Sequence, residues 1–73
     1  MTQFIASAIV NGNEVQLIKQ DDLYSIWWGE SSDDIRSQTE LLTPKGNPVK
    51  ESDAIKQFLA ATKAAQYLTF SKL

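Results

Sequence analysis

Gln3-Phe4-Ile5-Ala6-Ser7-Ala8-Ile9-Val10-Asn11-Gly12-Asn13-Glu14-Val15-Gln16-Leu17-Ile18-Lys19-Gln20 is the stretch that decides the fold of this chain. Before Asn11, Phe4, Ala6, Ala8 and Val10 alternate with Ile5, Ser7 and Ile9, which is the two-residue period of a strand. Asn11-Gly12 is the dipeptide that best tolerates the positive φ angles of a type I′ turn, so it predicts a hairpin. Beyond the turn Val15 and Leu17 stand in phase. A two-residue loop then sets Ala8 opposite Val15 and Ala6 opposite Leu17, on one sheet face.

Working outward, Asp21-Asp22 predicts a second turn, because Asp side chains bond the local backbone and sit poorly in strands. Leu23-Tyr24-Ser25-Ile26-Trp27-Trp28 is rich in strand-favouring aromatics. With a two-residue loop, Leu17 lies opposite Ile26 and Val15 opposite Trp28. Tyr24, Ile26 and Trp28 then join the core face, while Trp27 points away from it, on the side of Ile5, Ile9 and Ile18. A change of one residue in loop length would exchange the two tryptophans.

Residues 29–34 are polar and turn-forming, and residues 35–42 fit two patterns. One is a strand, with Ile35, Ser37, Thr39 and Leu41 on one side and Arg36, Gln38 and Glu40 on the other. The second is a short helix capped by Ser31 or Ser32, with Asp33 and Asp34 in its first turn. The clean alternation of Arg36, Gln38 and Glu40 favours the strand. Residues 43–50, with Pro44, Gly46 and Pro48, predict a loop. Ser52 then caps a helix over about 53–66, in which Ile55, Phe58, Leu59 and Thr62 form an apolar stripe widened by Ala54, Ala61 and Ala65. Lys56, Gln57, Ala60, Lys63 and Ala64 fall on the opposite side, and the small Ala6 and Ala8 let the helix approach the sheet closely.

The helical pattern fails at Tyr67. The apolar residues of 67–73 predict an added strand, a cover for the sheet, or a docking segment. The expected fold is α+β: a single domain over 1–73, with a short antiparallel β-meander of three to four strands (about 3–10, 14–20, 23–28 and, in the strand reading, 35–42) and one C-terminal helix packed on one face.

Composition narrows the function. Among the 73 residues there is no cysteine and no histidine, which removes disulfides, zinc-finger spacings and histidine-ligated metals. Stability must come from a core, and 42% apolar and 10% aromatic content suits one. No apolar run reaches the roughly 18–20 residues that cross a bilayer. Met1-Thr2-Gln3-Phe4 has no positive charge ahead of its apolar stretch and does not read as a signal peptide. The expectation is a complete, cytoplasmic chain with no membrane partner. Charge is unevenly spread along it: residues 1–44 carry −5 and residues 45–73 carry +3, against a net −2.

The candidate chemistry is sparse. Asp21-Asp22 and Asp33-Asp34 could be offered as acid–base pairs or a magnesium site, but adjacent carboxylates on turns are ordinarily turn-formers. Acid–base work also needs a pKa shifted by burial or by a partner in a cleft. Ser31-Ser32 lacks a base to activate it. Asn11-Gly12-Asn13 and Lys45-Gly46-Asn47 are too short to cradle a phosphate. No catalytic residue, metal or cofactor is expected.

Nucleic-acid binding by the C-terminal lysines is disfavoured by the acidic net charge, the single arginine and the lack of a binding motif. Protein binding is favoured instead. Trp27 with Ile5, Ile9 and Ile18 would form an exposed patch of the kind interface cores are made from, steered by Asp21 and Asp22 toward a larger enzyme with a basic surface. Lys56, Lys63, Tyr67 and Phe70 are a second candidate surface. The runner-up reading is that the Trp27 face joins two copies in a homodimer.

The Asn11-Gly12 meander, the single helix after Ser52 and the lack of catalytic residue types give a build similar to small bacteriophage-encoded proteins that seize a host machine, such as RNA polymerase inhibitors and anti-CRISPR proteins. That resemblance implies an inhibitor or modulator that binds a large nucleic-acid-handling enzyme. The alternatives are a self-associating adaptor or structural subunit, and an RNA-binding accessory domain using the C-terminal lysines.

Overall fold

A computed structural model describes residues 2–31, 33–63 and 67–70. Strands β1 (Thr2–Val10) and β2 (Asn13–Gln20) form the expected hairpin, with Ala8 opposite Val15 and Ala6 opposite Leu17. Both turn residues take positive φ, 51° at Asn11 and 82° at Gly12, as a type I′ turn requires. At the next turn only Asp21 has positive φ, 55°, and two residues again suffice. Strand β3 (Leu23–Ser31) therefore sets Leu17 opposite Ile26 and Val15 opposite Trp28.

Residues 34–40 are a strand, β4 (Asp34–Glu40), antiparallel to β3. Its pairing slips twice, around Gly29. There the backbone of Asp34 lies so close that a Cβ on Gly29 would sit 2.0 Å from the Asp34 carbonyl oxygen. Only a glycine admits that approach. The helix α1 (Glu51–Ala61) follows, and a last strand, β5 (Tyr67–Phe70), runs antiparallel to β1. The sheet order is β4-β3-β2-β1-β5. The fold is α+β, an antiparallel meander with one C-terminal helix packed against it.

The core lies between α1 and one sheet face. Phe58, Leu17 and Val15 are its largest fully buried side chains, joined by Ala6, Ala8, Tyr24, Ile26 and Ala54, with Trp28 and Ile55 packed against its margin. Ala6, Ala8 and Ala54 have almost no exposure, consistent with a close seat for Phe58, whose burial contributes about 1.5–3 kcal/mol.

Four expectations are corrected. The helix starts at Glu51 and ends at Ala61, short of 66, while residues 64–66, with Ala65, lie outside the described residues. Its N-cap is Lys50, in extended conformation with no side-chain cap, so Ser52 sits inside the first turn. The buried line on the helix runs Ala54, Phe58, Thr62, and Leu59 is 38% exposed, because a short helix on β2 and β3 offers the sheet a narrow stripe. Ile5 belongs to the core: a bulge between Phe4 and Ala6 inserts it beside Ala6 and turns Phe4 outward, opposite Ile18.

Candidate functional site

The strand alternation that buries Leu17 under α1 sends the neighbouring residues of each strand to the other face of the sheet. On that outer face β1 contributes Phe4, Ser7 and Ile9, β2 contributes Glu14, Gln16 and Ile18, and β3 contributes Ser25 and Trp27. β4 adds Gln38 opposite Trp27 and Glu40 opposite Ser25. Two segments could have covered this face, and among the described residues neither does so. The 43–50 loop closes on itself, with Gly46 N–H donating to the Thr43 carbonyl (2.8 Å) and Thr43 N–H to the Asn47 carbonyl (2.7 Å). It also delivers Val49, with Leu41, into the core on the helix side. The chain then returns as β5 beside β1, extending the sheet at its edge. Among the described residues no element packs over the outer face.

Trp27 does not project freely. Its indole Nε1–H donates to Ser25 Oγ at 3.1 Å, two residues back on the same strand, so the ring leans along β3 and stays half-buried. Ile18, in the centre between Phe4 and Ser25, is 3% exposed although it lies outside the helix-side core. Gln16 is buried too, and its amide donates to the Glu14 carboxylate. The outer face thus has a small apolar centre (Phe4, Ile9, Ile18, Trp27) among uncharged polar groups. Its ionised residues are Glu14 and Glu40, with no lysine or arginine at these strand positions.

The expected site residues are partly gathered here. Trp27, Ile9 and Ile18 share the face. Ile5 does not, for the bulge has taken it to the core and put Phe4 in its place. Asp21 and Asp22 sit at the β2–β3 turn, five positions along β3 from Trp27, or about 16 Å. Asp22 instead helps to line an open cleft of about 390 Å³ on the helix side, with Lys19, Tyr24, Pro48, Val49, Lys50 and Glu51. There the Tyr24 hydroxyl donates to Glu51 Oε1 (3.3 Å) and Lys19 Nζ lies 5.6 Å from the ring centre. Burial, and then the Glu51 carboxylate, push the Tyr24 hydroxyl above its ordinary value of 10. Two lysines face two carboxylates in this cleft, which leaves it without a charge preference.

Lys56 is exposed on α1, and Lys63 lies beyond its end, so the two do not stack on one helix face. Tyr67 and Phe70 are placed only by register, opposite Ile9 and Ala6, and their side chains lie outside what is described. Sequence reasoning missed Phe4, Glu14, Gln16 and Glu40. Glu14, Gln16 and Glu40 follow from strand alternation once the registers are fixed, whereas a bulge with no glycine or proline to mark it hides Phe4.

Comparison with protein-family models, curated proteins and solved structures gives no match.

Proposed function

We propose that this chain is a small non-enzymatic, cytoplasmic regulator that binds a larger protein through the outer sheet face. The observation that carries this reading is the apolar cluster of exposed Phe4 and half-buried Ile9 and Trp27 around the buried Ile18, on the sheet face opposite the helix-side core. An aromatic centre with a polar surround is the usual anatomy of a docking patch. The acids Glu14 and Glu40 match a basic partner surface, such as one that normally handles nucleic acid. The resemblance in build to phage-encoded inhibitors of RNA polymerases and CRISPR effectors points to the same class of partner, and on this reading the chain blocks or modulates that enzyme. The same acids disfavour phosphate at this face. The absence of histidine and cysteine from the sequence supports the non-enzymatic part.

The test is affinity recovery with the immobilised chain, in parallel with Trp27→Ala, with and without nuclease. The proposal expects one large enzyme to be retained by the wild type through nuclease treatment and lost with folded Trp27→Ala. Retention unchanged by Trp27→Ala, or recovery that vanishes with nuclease, refutes docking through this face.

A further inference from the structure

We propose that β5 pairs with β5 of a second copy of this chain, antiparallel about a two-fold axis, joining two sheets edge to edge. The two edges of the sheet differ in kind. The β4 edge is polar and irregular, with Asp34, Arg36 and Glu40 along it and two slips in its pairing with β3. Charges and bulges on an edge strand are what keep other strands from adding to it. The β5 edge has neither device: Tyr67-Leu68-Thr69-Phe70 is uncharged, free of proline and in unbroken register with Ala6–Ile9 of β1. β5 ends the sheet, with no further strand beside it among the described residues. Such an edge presents a row of backbone donors and acceptors to any strand that can lie against it.

Charge and symmetry select a second copy as the occupant. A two-fold axis normal to the sheet and passing beside Thr69 sets Thr69 opposite the partner's Thr69 and Leu68 opposite the partner's Phe70, so no like charges meet. Asp34 and Glu40 lie on the far edge, four strand spacings or about 19 Å from β5, beyond the roughly 8 Å over which charges interact at physiological salt. Pairing through β4 would instead bring the two sets of charges together. The joined sheet leaves both outer faces open and side by side, so one dimer presents two Trp27 patches.

The experiment is sedimentation of the full chain over a wide concentration range, with three variants confirmed as folded by circular dichroism. A reversible dimer is expected, weakened about tenfold or more by Thr69→Lys, since a lysine on an edge strand opposes pairing. Ser37→Lys, on the β4 edge, and Trp27→Ala should leave the dimer unchanged. Hydrogen exchange on the wild type gives an independent reading: amides within Tyr67–Phe70 should become more protected as concentration rises. A chain that stays monomeric at several hundred micromolar, a dimer indifferent to Thr69→Lys, or one lost in Trp27→Ala overturns the proposal. If Thr69→Lys does not fold, exchange without concentration-dependent protection of β5 overturns it alone. Loss of a foreign partner in Trp27→Ala reports on the outer face and is separate from these outcomes.

Discussion

Gly29 and the tryptophan pair show how much single residues settle in this small sheet. A Cβ at Gly29 would meet backbone, which cannot swing aside, so Gly29→Ala must displace the start of β4. Chemical denaturation should show a loss of about 1–3 kcal/mol. Trp28 lies over the margin of the core and Trp27 on the opposite face. Phe58→Ala should cost about 3–5 kcal/mol, and Trp28→Ala about 2 kcal/mol because the ring is only half-buried. Trp27→Ala should change stability least of the three. If the same denaturation series ranks Trp27 above Trp28, the outer face is structural. Tyr24 gives a pH signature. Its neutral form is favoured by the fold, so the native state holds its proton to higher pH than the unfolded chain does. The resulting stability is present below pH about 10 and is lost as pH rises toward the native value. Tyr24→Phe should flatten that alkaline loss in melts taken across pH 9–11.

The helix is an element whose boundaries its own sequence misstates. Ser52 looks like a cap, and replacing a true cap with Ala typically costs about 1 kcal/mol. Because Lys50 occupies the cap position without a side-chain bond, Ser52→Ala should shift stability by less than about 0.5 kcal/mol in thermal melts. The first turn instead gains from Glu51 and Asp53 beside the helix dipole. At the other end Thr62 Oγ1 donates to the Phe58 carbonyl at 2.7 Å, and the Thr62 amide bonds the same carbonyl. That pair of hydrogen bonds to one carbonyl helps close the helix after Ala61.

For the whole molecule, the charge asymmetry along the chain leaves the outer sheet face acidic, whereas the helix side mixes Lys19, Lys50 and Lys56 with Asp22, Glu51 and Asp53. Glu14 and Glu40 lie on the outer sheet face, while Lys50 and Lys56 belong to the helix and its approach. Binding through the outer face should be steered by those acids. Glu14→Lys with Glu40→Lys should slow association with a basic partner, and Lys56→Glu with Lys63→Glu should not, as read by stopped-flow or surface binding kinetics. Raising salt to physiological strength should slow association more than dissociation. A larger effect from the lysine reversal would move the working surface to the helix.

Local pattern alone marked the first three strands and both turns, and it set the β1–β2 register as far as Ala6 opposite Leu17 and, for a two-residue second loop, the β2–β3 register. Asn11-Gly12 fixes its loop length by φ preference, Asp21-Asp22 marks a turn by its local side-chain bonding, and loop length fixes which side chains share a face. With two residues in the second turn, that pattern puts Trp27 on the outer face with Ile9 and Ile18, whereas it does not single out Phe4, Glu14, Gln16 or Glu40. The bulge that buries Ile5 and exposes Phe4 was not legible in the sequence, since no residue type marks it and the gain from filling the core beside Ala6 decides it. Nor could the chain's own pattern say whether residues 43–50 or the tail would cover Trp27. Val49 and Leu41 are drawn to the helix-side core, and residues 67–70 satisfy their backbone by pairing with β1. Both outcomes depend on contacts distant in sequence, which only the assembled sheet and helix provide.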